Sequence, residues 1–423
     1  MQNFISKVKV VFQDKSLRKR ILFVIGALVT FRLLATIPIP GIDAVALSRF
    51  ISNNQFLGVL NIFSGGGLTN LSIIMLGVGP YITSSIIMQL LTIMVPKFKA
   101  LYNEEGEAGR KKFTQYSRLI AVPLAAIQGF GLLTLLARQN ILGQLTGFQM
   151  ASNLIVVIAG SILLMWIGEL ISEFGIGNGV SLIIFAGIIA NIPSHVSQML
   201  FSFDVSQIPL FIIFLVLGII VIAGVVVITE AEHPIPVTYA KQVRGISSTA
   251  GGSTYLPLRV NQAGVIPIIF ALSILLFPQM IGNVLSTSTH AWVLSLSHAL
   301  VSFTQGTWLY MVLYFVLVFL FTYFYTAVTF DPEALSENLQ KNGAFIPGIR
   351  PGASTSAYIS KVLNRITLLG AIFLGLIAIL PLIMRSLTGI TAIAMGGTAL
   401  LIVVSVVLDL IKKVDAQISM REY

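Results

Sequence analysis

Ten stretches of mostly apolar residues, each close to the length of one bilayer crossing, set the terms on which this chain can fold. A helix needs about 20 such residues to span a hydrocarbon core. Runs of that length, bounded by charge, proline or glycine clusters, lie at approximately 21–38, 72–95, 119–137, 153–172, 180–200, 209–229, 263–283, 306–327, 363–384 and 392–411. Ten such helices occupy about half the chain, and the loops between them are too short for most to be domains. The composition agrees: 56% of the 423 residues are hydrophobic and 10% are charged, against roughly 25% charge in a soluble domain. Soluble cores stop growing at about 250–300 residues, so a soluble enzyme, a disordered scaffold and a nucleic-acid-binding domain are poor readings. With no cysteine, disulfides, thiolate metal sites and a cysteine nucleophile are excluded.

Lys15, Arg18, Lys19 and Arg20 before the first run imitate a signal peptide. That run is longer than a secretory core, contains Arg32, and ends in Ile37-Pro38-Ile39-Pro40 without a small-residue cleavage site, so a retained helix is expected. Basic residues near span ends stay on the cytoplasmic side. With the N-terminus inside, 21 of the 26 Lys and Arg fall on inside segments and only Arg49, Arg138 and Arg385 on outside loops. Both termini are therefore expected in the cytoplasm. Topology accounts for most of the net charge of +10; the long inside loops 96–118, 230–262 and 328–362 can also form a basic face for a large partner.

Within the spans, ionisable groups are scarce. Arg32 lies near an end, and Glu169, Arg365 and Asp409 lie within a turn or two of the inside boundary. Ion-coupled transport normally uses intramembrane charge, which disfavours a coupled small-solute transporter with broken helices, the second reading. There is no phosphate-binding glycine loop for an ATP-driven pump. His195, His233, His290 and His298 are unclustered, so no metal site is expected. Glu104, Glu105 and Glu107 sit among Lys97, Lys99, Arg110, Lys111 and Lys112 and read as a solvated mixed-charge loop, not an acid–base pair. The chain reads as a conduit or scaffold, not an enzyme, and calls for no cofactor.

Asn61-Ile62-Phe63-Ser64-Gly65-Gly66-Gly67-Leu68-Thr69-Asn70, followed by Leu71–Leu76 and Gly77-Val78-Gly79-Pro80, interrupts the approach to the second span. Glycine-rich backbone at membrane depth has to be buried in protein or face a water-filled cavity. A mobile half-helix lining a cavity fits, and so does an outside loop leading into a Pro-kinked helix. The span interiors are polar only in hydroxyls and amides, including Thr83, Ser84, Ser85 and Gln89 on the second, Gln128 on the third and Ser273 on the seventh. Val78 with Ile82, and Val180 with Ile184, are i,i+4 pairs on one helix face. Such β-branched stripes serve as lipid-facing surface, or as a constriction that stops ions by dewetting; periodicity does not choose.

Several strings resemble the bacterial SecY proteins, the channel subunit of the Sec protein translocase. They are FVIGALVTFRLLATIPIPGID (23–43), NIFSGGGL with GPYITSSIIMQLL (61–91), EGEAGRKKFTQYSR (105–118), MWIGELISEFGIGNGVSLIIFAGI (165–188), STYLPLRVNQAGVIPIIFA (253–271), GAFIPGIRPG (343–352) and GGTALLIVV (396–404). The resemblance implies an all-α membrane protein of ten helices in two pseudo-symmetric inverted five-helix halves, about 1–205 and 206–423. It implies a plug at Ile62, Phe63, Ser64, Gly65, Gly66, Gly67, Leu68, Thr69, Asn70 and Leu71, which favours the mobile half-helix. The hydrophobic pore ring falls on Val78, Ile82, Ile184, Ile269 and Ile402. A lateral gate, with Ser85, Gln89, Gln128 and Ser273 along it, opens between spans two and three on one side and seven and eight on the other.

The implied function is protein conduction across, and insertion into, the bacterial inner membrane. Unfolded nascent chains would thread the pore, and signal peptides or transmembrane segments would leave sideways into membrane lipid at about 0.3–0.6 kcal/mol per Leu, Ile, Phe or Val. Implied partners are the SecE and SecG subunits, the SecA motor and the ribosome, with no role for DNA. Docking falls on loops 230–262 and 328–362, with Lys241, Arg244 and Arg350; the last lies in Pro347-Gly348-Ile349-Arg350-Pro351-Gly352, where Pro and Gly favour a defined turn. Gly175-Ile176-Gly177-Asn178-Gly179 reads as the tight turn between helices four and five. One departure stands out: Glu232, His233 and Pro234 occupy positions where the family commonly carries a basic run. This weakens attraction to an acidic RNA or motor surface and puts docking at this loop in doubt.

Overall fold

The computed structural model describes residues 14–40, 61, 64–103, 105–138, 141–142, 146–201, 208–239, 243–244, 247–248, 253–264, 266–286, 290–305, 307–388 and 391–419. Each of the ten apolar runs falls on a helix: α1 (Lys15–Leu34), α2 (Gly79–Met94), then, after the short α3 (Pro96–Asn103), α4 (Gly106–Arg138), α5 (Gly147–Phe174), α6 (Gly179–Phe201) and α7 (Ile208–Glu230). Strands β1 (Glu232–Tyr239), β2 (Val243–Arg244), β3 (Ser247–Ser248) and β4 (Ser253–Arg259) intervene before α8 (Ile266–Leu285) and α9 (Ala291–Gln305). The chain continues through α10 (Thr307–Thr329), α11 (Pro332–Lys341), β5 (Ala344–Phe345), α12 (Ala353–Thr388) and α13 (Thr391–Ser419).

Among the described residues four helical stretches are each long and apolar enough to cross a membrane unbroken: Gly106–Ala137, Gly147–Phe174, Trp308–Lys341 and Ala353–Met384. A fifth is formed by α2 with α3, bent by 109° where the chain passes Val95-Pro96. The protein is a multi-pass membrane protein. Helix surfaces such as Leu22, Ile25 and Val29 on α1, or Ile155 on α5, stay exposed, as lipid-facing side chains do.

Packing sorts the helices into two groups. In the first, α1 packs on α5 and α6, and α2 on α4 and α5; in the second, α10 packs on α8 and α12, and α13 on α7 and α12. The groups meet along two seams, α8 against α2 and α4, and α13 against α6. Polar ties hold the first group together. The Arg118 guanidinium on α4 donates to Glu169 Oε1 on α5 at 2.8 Å, the Tyr81 hydroxyl on α2 lies near the same carboxylate, and Ser84 Oγ on α2 donates to the Ser117 carbonyl on α4. Glu169 is thus a structural tie, not a free carboxylate for a proton relay.

Three features differ from the sequence expectation. First, the outside connection after α8 contains the helix α9, which packs on α8 through buried Val293 and Ser297, the latter donating to the Gly282 carbonyl at 2.7 Å. At 15 residues it is too short to register as a span. Second, α4 begins at Gly106, well before the apolar run, because a helix carries its basic face past the membrane boundary. Third, the inside loops 230–262 and 328–362 fold together: β1 pairs antiparallel with β4 from Glu232↔Arg259 to Thr238↔Ser253, and with β5 at Thr238↔Phe345 and Tyr239↔Ala344. Ile235, Val237, Leu258, Ala344, Ile346 and Ile359 form their shared core. Pro234 and Pro236 stand where β5 no longer reaches, and a proline-bearing strand edge offers fewer N–H groups to a further strand.

Candidate functional site: an axial stack of cavity, aliphatic constriction and glycine-rich seat

One face of α6 organises the site. Ser181, Ile184, Gly187 with Ile188, and Asn191 recur at the three-to-four-residue spacing that aligns side chains on a helix, about 15 Å from first to last. Each level meets a different structure. The turn before α6 is as expected: Gly177 takes φ +96° and Asn178 Oδ1 accepts from the Ser181 amide at 3.1 Å.

At the inner end, Asn178 and Ser181 line a cavity of about 270 Å³ shared with Arg259, Asn261, Asp409 and Lys412. The cations here are compensated in part: Arg259 Nε lies 3.2 Å from Glu232, Lys412 Nζ 2.9 Å from Glu230 and Lys413 Nζ 2.6 Å from Asp409. The result is a cavity lined by both polar and apolar groups, whose charges largely offset one another. Its wall also includes Ile266 and Val406, one turn from Ile269 and Ile402.

At the next level Val78, Ile82, Ile184, Ile269 and Ile402 all join one buried cluster, none more than 7% exposed. They come from the N-cap of α2, from α2 itself and from α6, α8 and α13, so residues hundreds of positions apart belong to one buried apolar cluster, which also takes in Phe31, Tyr314 and Phe321. Val180 packs against this cluster.

Further along α6, at Gly187, lies the glycine-rich segment. Ile62 and Phe63 lie outside the described residues. Ser64 to Leu71 are described, with Ser64, Gly65, Gly66, Gly67, Leu68 and Leu71 buried and Thr69 and Asn70 exposed. The half-helix expectation is corrected here: residues 64–78 run as consecutive turns, and the helix starts only at Gly79. Left-handed backbone at Gly65 (φ +62°), Gly66 (φ +86°), Leu71 (φ +40°) and Gly77 (φ +60°) breaks the i→i−4 ladder, and Pro80 suits the first turn of α2. Bonds from the Gly67 amide to the Ser64 carbonyl (3.2 Å), from Leu71 to Leu68 (3.1 Å) and from Gly77 to Ile74 (2.8 Å) knit the turns. The Ser64 hydroxyl accepts from the Leu68 amide at 3.1 Å, and Asn61 Oδ1 from the Thr69 amide at 3.1 Å.

The segment is seated on α6 and on the last turn of α1. A Cβ built at Gly187 would stand 2.0 Å from the Gly65 Cα, so only glycine permits that approach. A Cβ on Gly65 would collide with the Phe31 ring at 2.3 Å. The Ile39 amide donates to the Leu71 carbonyl and the Ile73 amide to the Ile37 carbonyl, both at 3.0 Å. Ser161 Oγ on α5 donates to the Gly77 carbonyl at 2.8 Å. Gly187, Phe31 and Arg32 were not legible as site residues; the sequence signal was a glycine in an otherwise continuous apolar helix.

Along the seam of α8 with α2 and α4, the polar residues are few. Gln89 Nε2 donates to Ser85 Oγ at 3.3 Å, both on α2, and the Gln89 Oε1 is buried without a partner among the described residues. Gln128 on α4 is buried, as is Ser273 on α8, whose hydroxyl turns back to the Ile269 carbonyl at 2.8 Å. None of these bonds crosses the seam, and Phe270 packs instead on Phe321 and Tyr325 of α10 at 6.0 and 6.2 Å between ring centroids.

On the inner face, Lys241 lies outside the described residues, and Arg244 falls on β2. Arg350 is exposed beside a type II turn: the Ile349 amide bonds the Ile346 carbonyl at 3.1 Å, with Pro347 second and Gly348 (φ +81°) third. Thr355 Oγ1 donates to the Arg350 carbonyl at 3.0 Å and Ser336 Oγ to that of Gly352 at 2.8 Å, fixing the tip. Among the described residues no three His, Asp or Glu side chains converge as a metal set would.

The fold matches solved translocation channels. One described as the structure of a protein conducting channel superposes with a TM-score of 0.67 over 96% of this chain and 93% of that one, at 19% identity. Sec61 from a canine ribosome-channel complex of the endoplasmic reticulum gives 0.63 over 96% and 93%, at 18% identity. In sequence, the protein translocase subunit SecY of Corynebacterium glutamicum is 42% identical over 97% of this chain and 97% of its own. That of Synechocystis is 42% identical over 97% and 94%. The SecY family model matches residues 72–411, a range that runs through Val78, Ile82, Ile184, Ile269 and Ile402 and begins just after the glycine-rich segment, and the chain belongs to the SecY family.

Proposed function

We propose that this chain is the protein-conducting subunit of a bacterial translocase, a passive conduit and not an enzyme. The observation that carries this reading is the order along α6: Ser181 at a polar-lined cavity, Ile184 in the buried apolar cluster, and Gly187 against the glycine-rich segment. In that reading Val78, Ile82, Ile184, Ile269 and Ile402 form the pore ring, which gives way to an extended polypeptide but dewets around ions. Residues 62–71 act as the plug on the outer side. The halves 1–205 and 206–423 act as jaws, hinged by the connection between α6 and α7 and opening where α8 meets α2 and α4. That gate is lined in part by Ser85, Gln89, Gln128 and Ser273. The absence of polar bonds across the seam among its described residues suits a boundary that must part and reseal.

The chain sits in the inner membrane with both termini in the cytoplasm, as its loop charges suggest. SecE and SecG are its companion subunits, and SecA or the ribosome supplies the work. Both would dock on the platform built from the two inside loops, with Lys241, Arg244 and Arg350. A stalled secretory precursor should crosslink to single cysteines placed at positions 78, 82, 184, 269 and 402, the natural chain having none. Reaction at all five supports the ring; cysteines that react only with lipid-borne reagents remove it.

The platform has a measurable weakness. Glu232 pairs with Arg259 at 3.2 Å across β1 and β4, so it withdraws one arginine from the docking surface. Replacing Glu232 and His233 by arginine should tighten ribosome binding severalfold at moderate salt and steepen its salt dependence. Unchanged affinity would remove the electrostatic account of docking here.

A further inference from the structure

Arg32 lies near the outer end of α1, inside a membrane span, where a charge is costly and is kept for a reason. Its Nη1 donates to the Gly65 carbonyl at 3.2 Å. Around this bond, the Gly65–Gly66 peptide is held from both sides. The Phe31 ring packs against Gly65, and the Asn191 amide of α6 lies 3.0 Å from where a Cβ on Gly66 would stand, with Arg32 Nη1 at 3.4 Å from the same point. One turn along α1, the Ala35 carbonyl accepts from Asn70 Nδ2 at 3.3 Å. We propose that Arg32 is a positioning residue for the plug: a charged latch whose bond to the Gly65 carbonyl sets how much of the time the channel is closed.

The chemistry favours arginine here. The acceptor is a backbone carbonyl in a left-handed turn (φ +62° at Gly65), which no longer serves a helix and needs a donor from outside. A charge-assisted bond in a poorly hydrated site is stronger than a neutral one, and a carbonyl acceptor, unlike a carboxylate, lets the segment leave without stranding an anion. Displacement of the plug by an incoming chain would hydrate the guanidinium from the same aqueous opening that it creates. Release is thus coupled to entry of water or substrate. The inference rests on the plug reading, and the test separates the two.

The full chain, purified with its companion subunits, is reconstituted in vesicles and assayed for resting ion efflux and for maleimide alkylation of a Leu68→Cys reporter, Leu68 being fully buried. Arg32→Gln should raise both rates by roughly tenfold, and Arg32→Lys should restore most of the difference because a charged donor remains. In a channel lacking residues 64–71, Arg32→Gln should add no further efflux. An unchanged alkylation rate in Arg32→Gln overturns the latch, as does an equal extra leak with the plug deleted or a failure of Arg32→Lys to rescue. If deletion of 64–71 itself leaves the vesicles sealed, the plug reading falls, and the latch falls with it for that separate reason.

Discussion

Gly187→Leu should leave the channel open at rest. The Gly187 position meets the backbone of Gly65, with a Cβ 2.0 Å from its Cα and 2.4 Å from its carbonyl carbon, so a larger side chain meets main chain and not the yielding tip of a neighbour. Overpacking of this kind costs about 1–3 kcal/mol, and since each 1.4 kcal/mol is a factor of ten in an equilibrium constant, the ratio of unseated to seated channels should rise roughly tenfold or more. Resting ion efflux should rise accordingly, and precursors with weakened signal sequences should be exported better, because part of the work of unseating is already done. Gly187→Ala should show the same effect in smaller degree. Gly218, on α7, has nothing within 4 Å of its would-be Cβ, so Gly218→Leu is the control for any general effect of bulk in a helix. Efflux from Gly187→Leu no greater than from that control would remove the seat.

The fold was legible in its crossings because lipid enforces length: a run of about 20 apolar residues between charges has few uses other than a span. All ten runs fall on helices. What failed did so where that constraint is absent. The helix Ala291–Gln305 was invisible because its buried face rests on α8 and not on lipid, and 15 residues with several serines carry a weak signal. The half-helix at 62–71 was expected because glycine-rich membrane backbone must be sheltered; over the described residues 64–71 shelter comes from Phe31, Gly187 and Asn191 in tertiary contact, which makes helical bonding unnecessary there. The joint platform of loops 230–262 and 328–362 was equally hidden, since the pairing of Tyr239 with Ala344 links segments about a hundred residues apart and leaves no local periodicity.

The candidate site divides along the same line. Val78 with Ile82, and Val180 with Ile184, were visible as helical pairs, yet a stripe of branched aliphatics fits lipid as well as it fits an interior, and only the resemblance to SecY chose between them. The structure buries Val78, Ile82, Ile184, Ile269 and Ile402 in one large apolar cluster drawn from four helices, a grouping that no window of sequence contains. The residues that seat the glycine-rich segment show the opposite case. Gly187 and Arg32 were each noticeable, one as a gap in a bulky helix and the other as a charge in a span, but neither has meaning until Gly65 is brought between them.

Ile402→Asp provides the sharpest test of the dry layer, because its effect on ions should switch with pH. Ile402 is 1% exposed, in the same buried cluster as Val78, Ile82, Ile184 and Ile269, and a carboxyl group placed there loses hydration that no partner replaces. Burial penalises the charged form. At acid pH the carboxyl is neutral and the proposed ring stays closed to ions; at alkaline pH the carboxylate must draw water in, and cations should pass. In a channel lacking residues 64–71, where the layer is the remaining barrier, cation efflux from Ile402→Asp should therefore climb at least tenfold from mildly acid to alkaline pH. Ile402→Leu should leak no more than the plug-deleted channel itself at any pH, and Ile402→Asn should add a modest leak without pH dependence. A side chain that faced acyl tails instead would behave differently. Aspartate there would cost about 2.5–3.5 kcal/mol of insertion and lower the amount of protein in the membrane, while the protein that did insert would conduct no more than Ile402→Leu. Efflux that follows pH with normal insertion, against poor insertion with no efflux, separates a constriction from a lipid-facing stripe.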